Sequence, residues 1–188
     1  MKLVFATTNE GKLAELRELV TGVEVISAAE AAPGLEVDED QPTFEGNAAK
    51  KAREFLAATG LPSLADDSGL SVDALGGRPG VLSARYAPTD AERIAKLVSE
   101  LRGAANRKAH FTCALALALP GGAVHVEVGE CHGEIVDSPR GAHGFGYDPI
   151  FLIPSLGKTL AELTRPEKAG LSHRGVAMRK MAPRLSGL

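Results

Sequence analysis

Five short stretches hold residue types whose spacing suits chemistry on a charged, metal-associated ligand. Asp66-Asp67-Ser68-Gly69 follows the apolar run 62–65, which places two adjacent carboxylates at the carboxyl end of a predicted short strand, where α/β proteins locate their chemistry. Successive strand residues face opposite sides, so one carboxylate can hold Mg2+ or a water while the other braces the loop. A plain turn closing on Gly69 is the alternative on these residues alone. Thr7-Thr8-Asn9-Glu10-Gly11-Lys12 lies between an apolar strand (3–6) and a helix carrying Leu13, Leu16 and Val20 on one face. Free N–H groups and the helix dipole favour an anion at such a junction. The GxxxxGK[ST] and GxGxxG spacings are absent, and a simple cap by Thr8 or Asn9 fits equally.

Lys51 is the next signal. On a helix predicted from the Thr43 cap to Gly60, Phe44, Ala48, Ala52, Phe55 and Leu56 define the apolar face, and at 3.6 residues per turn Lys51 falls within about 20° of Phe44. An ammonium aimed inward must snorkel out or meet an anion. Asn47 precedes it by one turn on nearly the same side. Gly144-Phe145-Gly146-Tyr147-Asp148-Pro149 puts two of the chain's eight aromatics into a glycine loop, where backbone can approach a ligand and Phe145 or Tyr147 can cover a planar ring. Ser172-His173-Arg174 reads as a helix start whose imidazole and guanidinium suit acceptor oxygens of a base or a phosphate, or as an ordinary cap.

The elements that must position these residues follow from the pattern of apolar runs. Strand 3–6, a helix and a returning strand at 23–26 precede the acidic loop 36–42. The Gly/Pro-rich run 76–80 reads as a long surface loop, and Ile94, Leu97, Val98 and Leu101 mark an amphipathic helix between Pro88 and Gly103. Residues 110–119 and 123–136 flank Pro120-Gly121-Gly122 as an antiparallel hairpin. A strand at 150–153 and a C-terminal helix from about Ser172 complete a mixed α/β sheet with no internal repeat or heptad.

The 188 residues carry 21 Lys+Arg against 24 Asp+Glu, a net charge of −3, with 44% hydrophobic residues. That suits one domain over 1–188, with or without two lobes. Nucleic-acid binding, which needs excess positive charge, is not expected. Nor is a membrane span, since no run approaches the ~20 apolar residues it needs. Cys113 and Cys131 form no CxxC, and 1–6 open directly into an apolar strand, so the reducing cytoplasm is the expected compartment. The charge is divided: nine acidic against three basic residues between Glu36 and Asp73, seven basic against two acidic between Gly157 and Leu188. Opposed walls of this kind suit a metal-bound polyphosphate, though solvated faces have the same count.

Thr-x-Asn-x-x-Lys at 7–12, Thr-Phe-x-x-Asn-Ala-x-x-Lys-Ala at 43–52, Ala-Asp-Asp-Ser-Gly-Leu at 65–70, Gly-Phe-Gly-Tyr-Asp-Pro at 144–149 and Ser-His-Arg-Gly at 172–175 together resemble the inosine/xanthosine triphosphate pyrophosphatases, in order and over essentially the whole chain. The resemblance implies Mg2+-dependent hydrolysis of non-standard purine nucleoside triphosphates (ITP, dITP, XTP) to the monophosphate and pyrophosphate. It implies an elongated central mixed sheet flanked by helices, two lobes around a cleft, and a homodimer. By the same resemblance Thr7, Thr8, Asn9, Glu10, Gly11 and Lys12 grip the phosphates and Lys51 adds charge to them. Glu39 and Asp67 serve the metal, and Asp67 acts as base or water-positioner with Ser68 beside the substrate. Phe145, Gly146, Tyr147, Asp148, Lys168, His173 and Arg174 frame base and sugar. Two positions depart from the family pattern: Gly46 stands where many relatives have Glu, and His143 where Gly is frequent.

Overall fold

The structure, a computed structural model, describes residues 2–20 and 22–186. Seven strands, β1 (Lys2–Phe5), β2 (Glu24–Ser27), β3 (Ser63–Val72), β4 (Lys108–Ala118), β5 (Val124–Ile135), β6 (Phe151–Ile153) and β7 (Lys158–Thr159), form one open sheet in the order β2-β1-β3-β4-β5-β6-β7. β1 runs parallel to both β2 and β3, whereas β5–β6 and β6–β7 are antiparallel. The turn between β4 and β5 is too short for a crossover, so that pair is antiparallel too. The bonds Leu119 N–H to Ala123 O and Ile135 N–H to Arg107 O, both 2.9 Å, fit one register along the hairpin. The sheet is therefore mixed, as expected.

Among the described residues six α-helices accompany it: α1 (Glu10–Leu19), α2 (Ala28–Ala31), α3 (Phe44–Thr59), α4 (Asp90–Glu100), α5 (Arg165–Leu171) and α6 (His173–Leu185). The boundaries of α3 follow its caps: Thr43 Oγ1 accepts from Gly46 N at 3.1 Å, and Gly60 ends the helix at φ 69°, a conformation glycine adopts without steric cost. Short α2, α5 and β7 were not expected from the pattern, because four to seven residues are too few to display a period.

The chain forms two compact units, Met1–Asp67 with Cys113–Gly129 and His173–Leu188, and Ser68–Thr112 with Glu130–Ser172. In the first, strand alternation sorts two cores. Leu3, Phe5, Leu64, Cys113, Leu115 and Leu117 pack with Leu13 and Leu16 of α1 and Met178 and Met181 of α6. On the opposite face Val4, Ala6, Ala65, Ala114, Ala116 and Ala118 meet Ala48, Ala52 and Phe55 of α3. Alanine on both partners lets α3 approach the sheet closely, which decides where its polar side chains end. In the second unit Leu70, Val72, Phe111, Ile150 and Phe151 pack with Leu97 of α4 and with Leu101 at its C-terminal cap.

β3 corrects one expectation. The strand does not stop at Ala65; it continues through Asp66-Asp67-Ser68-Gly69 to Val72, and Gly69 has no positive φ. The aspartates thus sit mid-strand rather than in a loop at its end. Apolar residues on both sides, Leu64 and Leu70, are fully buried, so the strand gains by running on as long as the carboxylates find partners within the fold.

A Cβ built on Gly129 of β5 would lie 2.2 Å from His173 O and 2.4 Å from Ala177 N. Both are backbone atoms of the helix and cannot swing aside. Gly129→Ala is expected to lower stability by about 2–3 kcal/mol in urea unfolding; an unchanged midpoint contradicts this packing. Burial raises the Cys113 thiol to about 12 and the Cys131 thiol to about 11. At pH 8 neither should react with a thiol reagent in the native protein while both react after denaturation; rapid native labelling of Cys113 contradicts its placement.

Candidate active site

Because β3 side chains alternate, Asp66 faces the α1/α6 side and Asp67 the α3 side. Asp66 is fully buried. Lys12 Nζ of α1 lies 3.1 Å from its Oδ2 and Arg174 Nη2 of α6 lies 3.5 Å from the same oxygen. From α3, Lys51 Nζ donates to the Asp66 backbone carbonyl at 3.0 Å and pairs with Glu39. Burial by itself would push the Asp66 carboxyl up, but the charges of Lys12, Arg174 and Lys51 outweigh it and hold the group well below the ordinary 3.8. Burial likewise disfavours the Lys51 ammonium, and Asp66, Glu39 and Asp67 raise it above 10.5 nonetheless. The lysine on the apolar face of α3 has met its anions.

Asp67 differs in kind. Asn47 of α3 holds its side chain, Nδ2 donating to Oδ2 at 2.9 Å. Burial lifts its pKa above 3.8; the Asn47 bond opposes this, and the Glu39 charge adds to it. The other end of Asn47 accepts from Gln41 N at 2.9 Å, and Lys50 Nζ holds Asp38 O and Asp40 Oδ1, each at 2.9 Å. The acidic loop carrying Glu39 is strapped to α3 by these bonds. A Cβ at Gly46 would stand 2.9 Å from Gln41 Cβ, so the departure from the family pattern gives the loop room to close on the helix.

The junction 7–12 caps α1 through Asn9, whose Oδ1 accepts from Lys12 N at 3.0 Å, while Thr7 Oγ1 accepts from Asn9 N at 3.2 Å. The first-turn N–H groups of Glu10 and Gly11 have no acceptor within the helix. Thr8, Asn9 and Glu10 are exposed. The junction is thus at once a cap and an anion-capable turn beside Lys12.

In the second unit, Ser68 is half-buried on β3. Asp148 is buried; its Oδ2 accepts from Phe145 N at 2.9 Å and from Lys168 Nζ at 2.7 Å, and the lysine lies 5.0 Å from the Phe145 ring centre. Gly144, at φ 78°, is required there, since a Cβ would lie 2.1 Å from Asp148 Oδ2. Tyr147 is a core residue, with its hydroxyl donating to Ser83 O at 3.0 Å. Of the two loop aromatics, only half-buried Phe145 is placed to offer a ring face.

Thr7–Lys12, Lys51, Asp66 and Asp67 come together in the first unit, and Phe145, Asp148 and Lys168 in the second. Arg174 is buried against Asp66 and Glu15, and His173 is buried at the start of α6. Neither was foreseen as part of the packed interior. Glu15, one turn beyond Lys12 on α1, pairs with Arg174, a partner that its sequence neighbourhood does not signal. In the sequence Asn47 shows only as a neighbour of Lys51, one turn before it on α3.

The sequence profile of the Ham1 family matches residues 3–184. A protein of Gloeobacter violaceus named dITP/XTP pyrophosphatase is 52% identical over 95% of this chain and 91% of its own. The structure of the Staphylococcus aureus Ham1 protein superposes with a TM-score of 0.91 at 38% identity, covering 100% of this chain and 99% of that one. A nucleoside-triphosphatase / dITP/XTP pyrophosphatase of Mycobacterium abscessus gives 0.78 at 46% identity, over 97% and 100%.

Removing one partner from a buried ionic cluster strands the others. Asp66→Ala is expected to destabilise the protein by about 3–5 kcal/mol in urea unfolding. A loss below about 1 kcal/mol, the level of a surface ion pair, contradicts the cluster's burial.

Proposed function

The chain belongs to the Ham1 family, and from that premise we propose that it hydrolyses non-standard purine nucleoside triphosphates, dITP, XTP and ITP, to the monophosphate and pyrophosphate. The observation that carries this reading is the pair of adjacent aspartates in unlike surroundings. Asp66 gathers Lys12, Lys51 and Arg174, while Asp67 stands with Asn47 and the Glu39 charge, its pKa raised.

Mg2+ fits these residues. Burial and the Glu39 charge disfavour ionisation of Asp67, a conflict that a divalent cation relieves. Mg2+ is commonly held by one or two carboxylates and otherwise by phosphates and water. Glu39 and Asp67 would hold it, and when bound it neutralises charge on the phosphate oxygens. Lys12 keeps donors beyond its bond to Asp66, and with Lys51 and the N–H groups of Glu10 and Gly11 it binds the triphosphate. Asp67 orients a water toward the α-phosphorus and accepts its proton. Departing pyrophosphate is stabilised by the same cations, and no covalent intermediate is needed.

Arg174, occupied by Asp66 and Glu15, acts by balancing charge around Asp66. Phe145, Lys168 and Asp148 supply a ring face, a donor and an acceptor suited to a purine. A pocket offering donors to O6 disfavours adenine, whose amino group leaves them unpaired. The resemblance to the pyrophosphatase family supports a homodimer in the reducing cytoplasm, where both cysteines stay free. Among the described residues no helix is long and apolar enough to cross a membrane.

With Mg2+ and a panel of dITP, XTP, ITP and dATP, the product is expected to be pyrophosphate, with dATP the poorest substrate. Asp67→Asn is expected to bind dITP within a few-fold of wild type while kcat falls by about 100-fold or more. Orthophosphate as the first product, or full turnover by Asp67→Asn, overturns the proposal.

A further inference from the structure

Asp90, the first residue of α4, makes a contact that helix formation does not require. The N-terminus is already capped by Thr89 and Glu92, which form a reciprocal capping box. The Asp90 side chain instead reaches a segment 56 positions away in the sequence, where its Oδ2 accepts from Gly146 N at 2.8 Å. Its other oxygen pairs with Arg93 Nη1 at 2.6 Å, and Arg93 is itself fixed by donation from Nε to Ala87 O at 2.8 Å. The carboxylate is therefore oriented by a guanidinium anchored in its own helix turn, with one oxygen presented to the glycine loop.

Gly146 adopts φ 61°, so the loop bends sharply between Phe145 and Tyr147. The bonds at that bend include Phe145 N to Asp148 Oδ2, Tyr147 OH to Ser83 O, and Gly146 N to Asp90 Oδ2. The first lies within the loop and the second fixes the side of Tyr147 that points into the core. The Asp90 bond holds the Phe145–Gly146 peptide itself from outside the loop. That peptide carries the Phe145 ring whose face lies over Lys168.

We infer that Asp90 is a positioning residue for recognition of the purine base: its bond to Gly146 sets the Phe145 ring relative to the Lys168–Asp148 pair. This rests on the reading of Phe145, Lys168 and Asp148 as base-contacting residues. Asp90 touches no substrate; it acts through the loop. Loosening the loop weakens binding of the base in ground and transition states alike, which raises KM and leaves kcat, and blurs the distinction between bases, which depends on placement.

The test uses the full chain in wild-type, Asp90→Ala and Asp90→Asn forms, comparing exchange of the Gly146 amide hydrogen by NMR with steady-state kinetics on dITP and dATP. In Asp90→Ala the Gly146 amide is expected to exchange at least about tenfold faster, the size of one lost charge-assisted hydrogen bond. KM for dITP should rise about tenfold with kcat within about twofold, and the preference for dITP over dATP should shrink by a similar factor. Asp90→Asn keeps an acceptor oxygen for Gly146 and retains the fold's helix start, so its KM should return to within about threefold of wild type. Unchanged exchange in Asp90→Ala overturns the inference, as does faster exchange with KM and preference unmoved, or an Asn variant as impaired as the Ala variant. A wild-type chain that releases no pyrophosphate from dITP overturns the functional reading and the inference with it, whereas failures confined to the variants overturn the inference alone.

Discussion

An ionised carboxylate with no exposure to water is costly, by several kcal/mol even after relaxation, and Asp66 is such a group. It survives in the interior because cations arrive from three separate helices: Lys12 from α1, Lys51 from α3 and Arg174 from α6. Each of those helices must therefore dock at a fixed rotation on the sheet. The alanines shared by α3, β3 and β4 bring Lys51 near enough to reach the Asp66 carbonyl. Gly129 allows the start of α6, with Arg174 one residue on from His173, to lie directly on β5. Packing and charge thus specify the same arrangement.

Placing Asp67 next along the strand turns one sequence motif into two chemically distinct sites. The pleat sends the neighbouring carboxyl to the opposite face, away from the direct ion pairs of Lys12 and Arg174. Here burial and Glu39 push its pKa up while the cations around Asp66 pull that one down. Two carboxyl groups driven apart in this way is the arrangement by which enzymes separate a structural or electrostatic carboxylate from one that exchanges protons. Asn47 joins the two halves of the device, holding Asp67 with one end of its amide and the Glu39 loop with the other.

Much of this was legible in the residues themselves. The caps at Thr43 and Gly60, the hairpin around Gly121 and the inward aim of Lys51 are local or periodic properties, and each leaves a mark in a window of a few residues. The course of β3 was not legible, because Asp-Asp-Ser-Gly is turn chemistry wherever its carboxylates lack partners. Those partners lie at positions 12, 47 and 174, far off in sequence. Arg174 and Tyr147 read as ligand-facing side chains for a related reason: motif position shows that a residue matters, while burial decides what it touches. Glu15 and Asp90 carry no local signal at all, since their partners are Arg174 and the backbone of Gly146.

We propose a division of labour: Asp66 binds protein cations and Asp67 serves the reacting phosphate. A crystal structure with Mg2+ and a dITP analogue carrying a non-hydrolysable α,β bridge tests it most directly. The account predicts a metal ion ligated by Asp67 and Glu39 together with phosphate oxygens, Lys12 and Lys51 on the triphosphate, and Asp66 still joined to Lys12 and Arg174 with no metal contact. Asp66 inside the coordination sphere, or a triphosphate bound out of reach of Lys12 and Lys51, would contradict it.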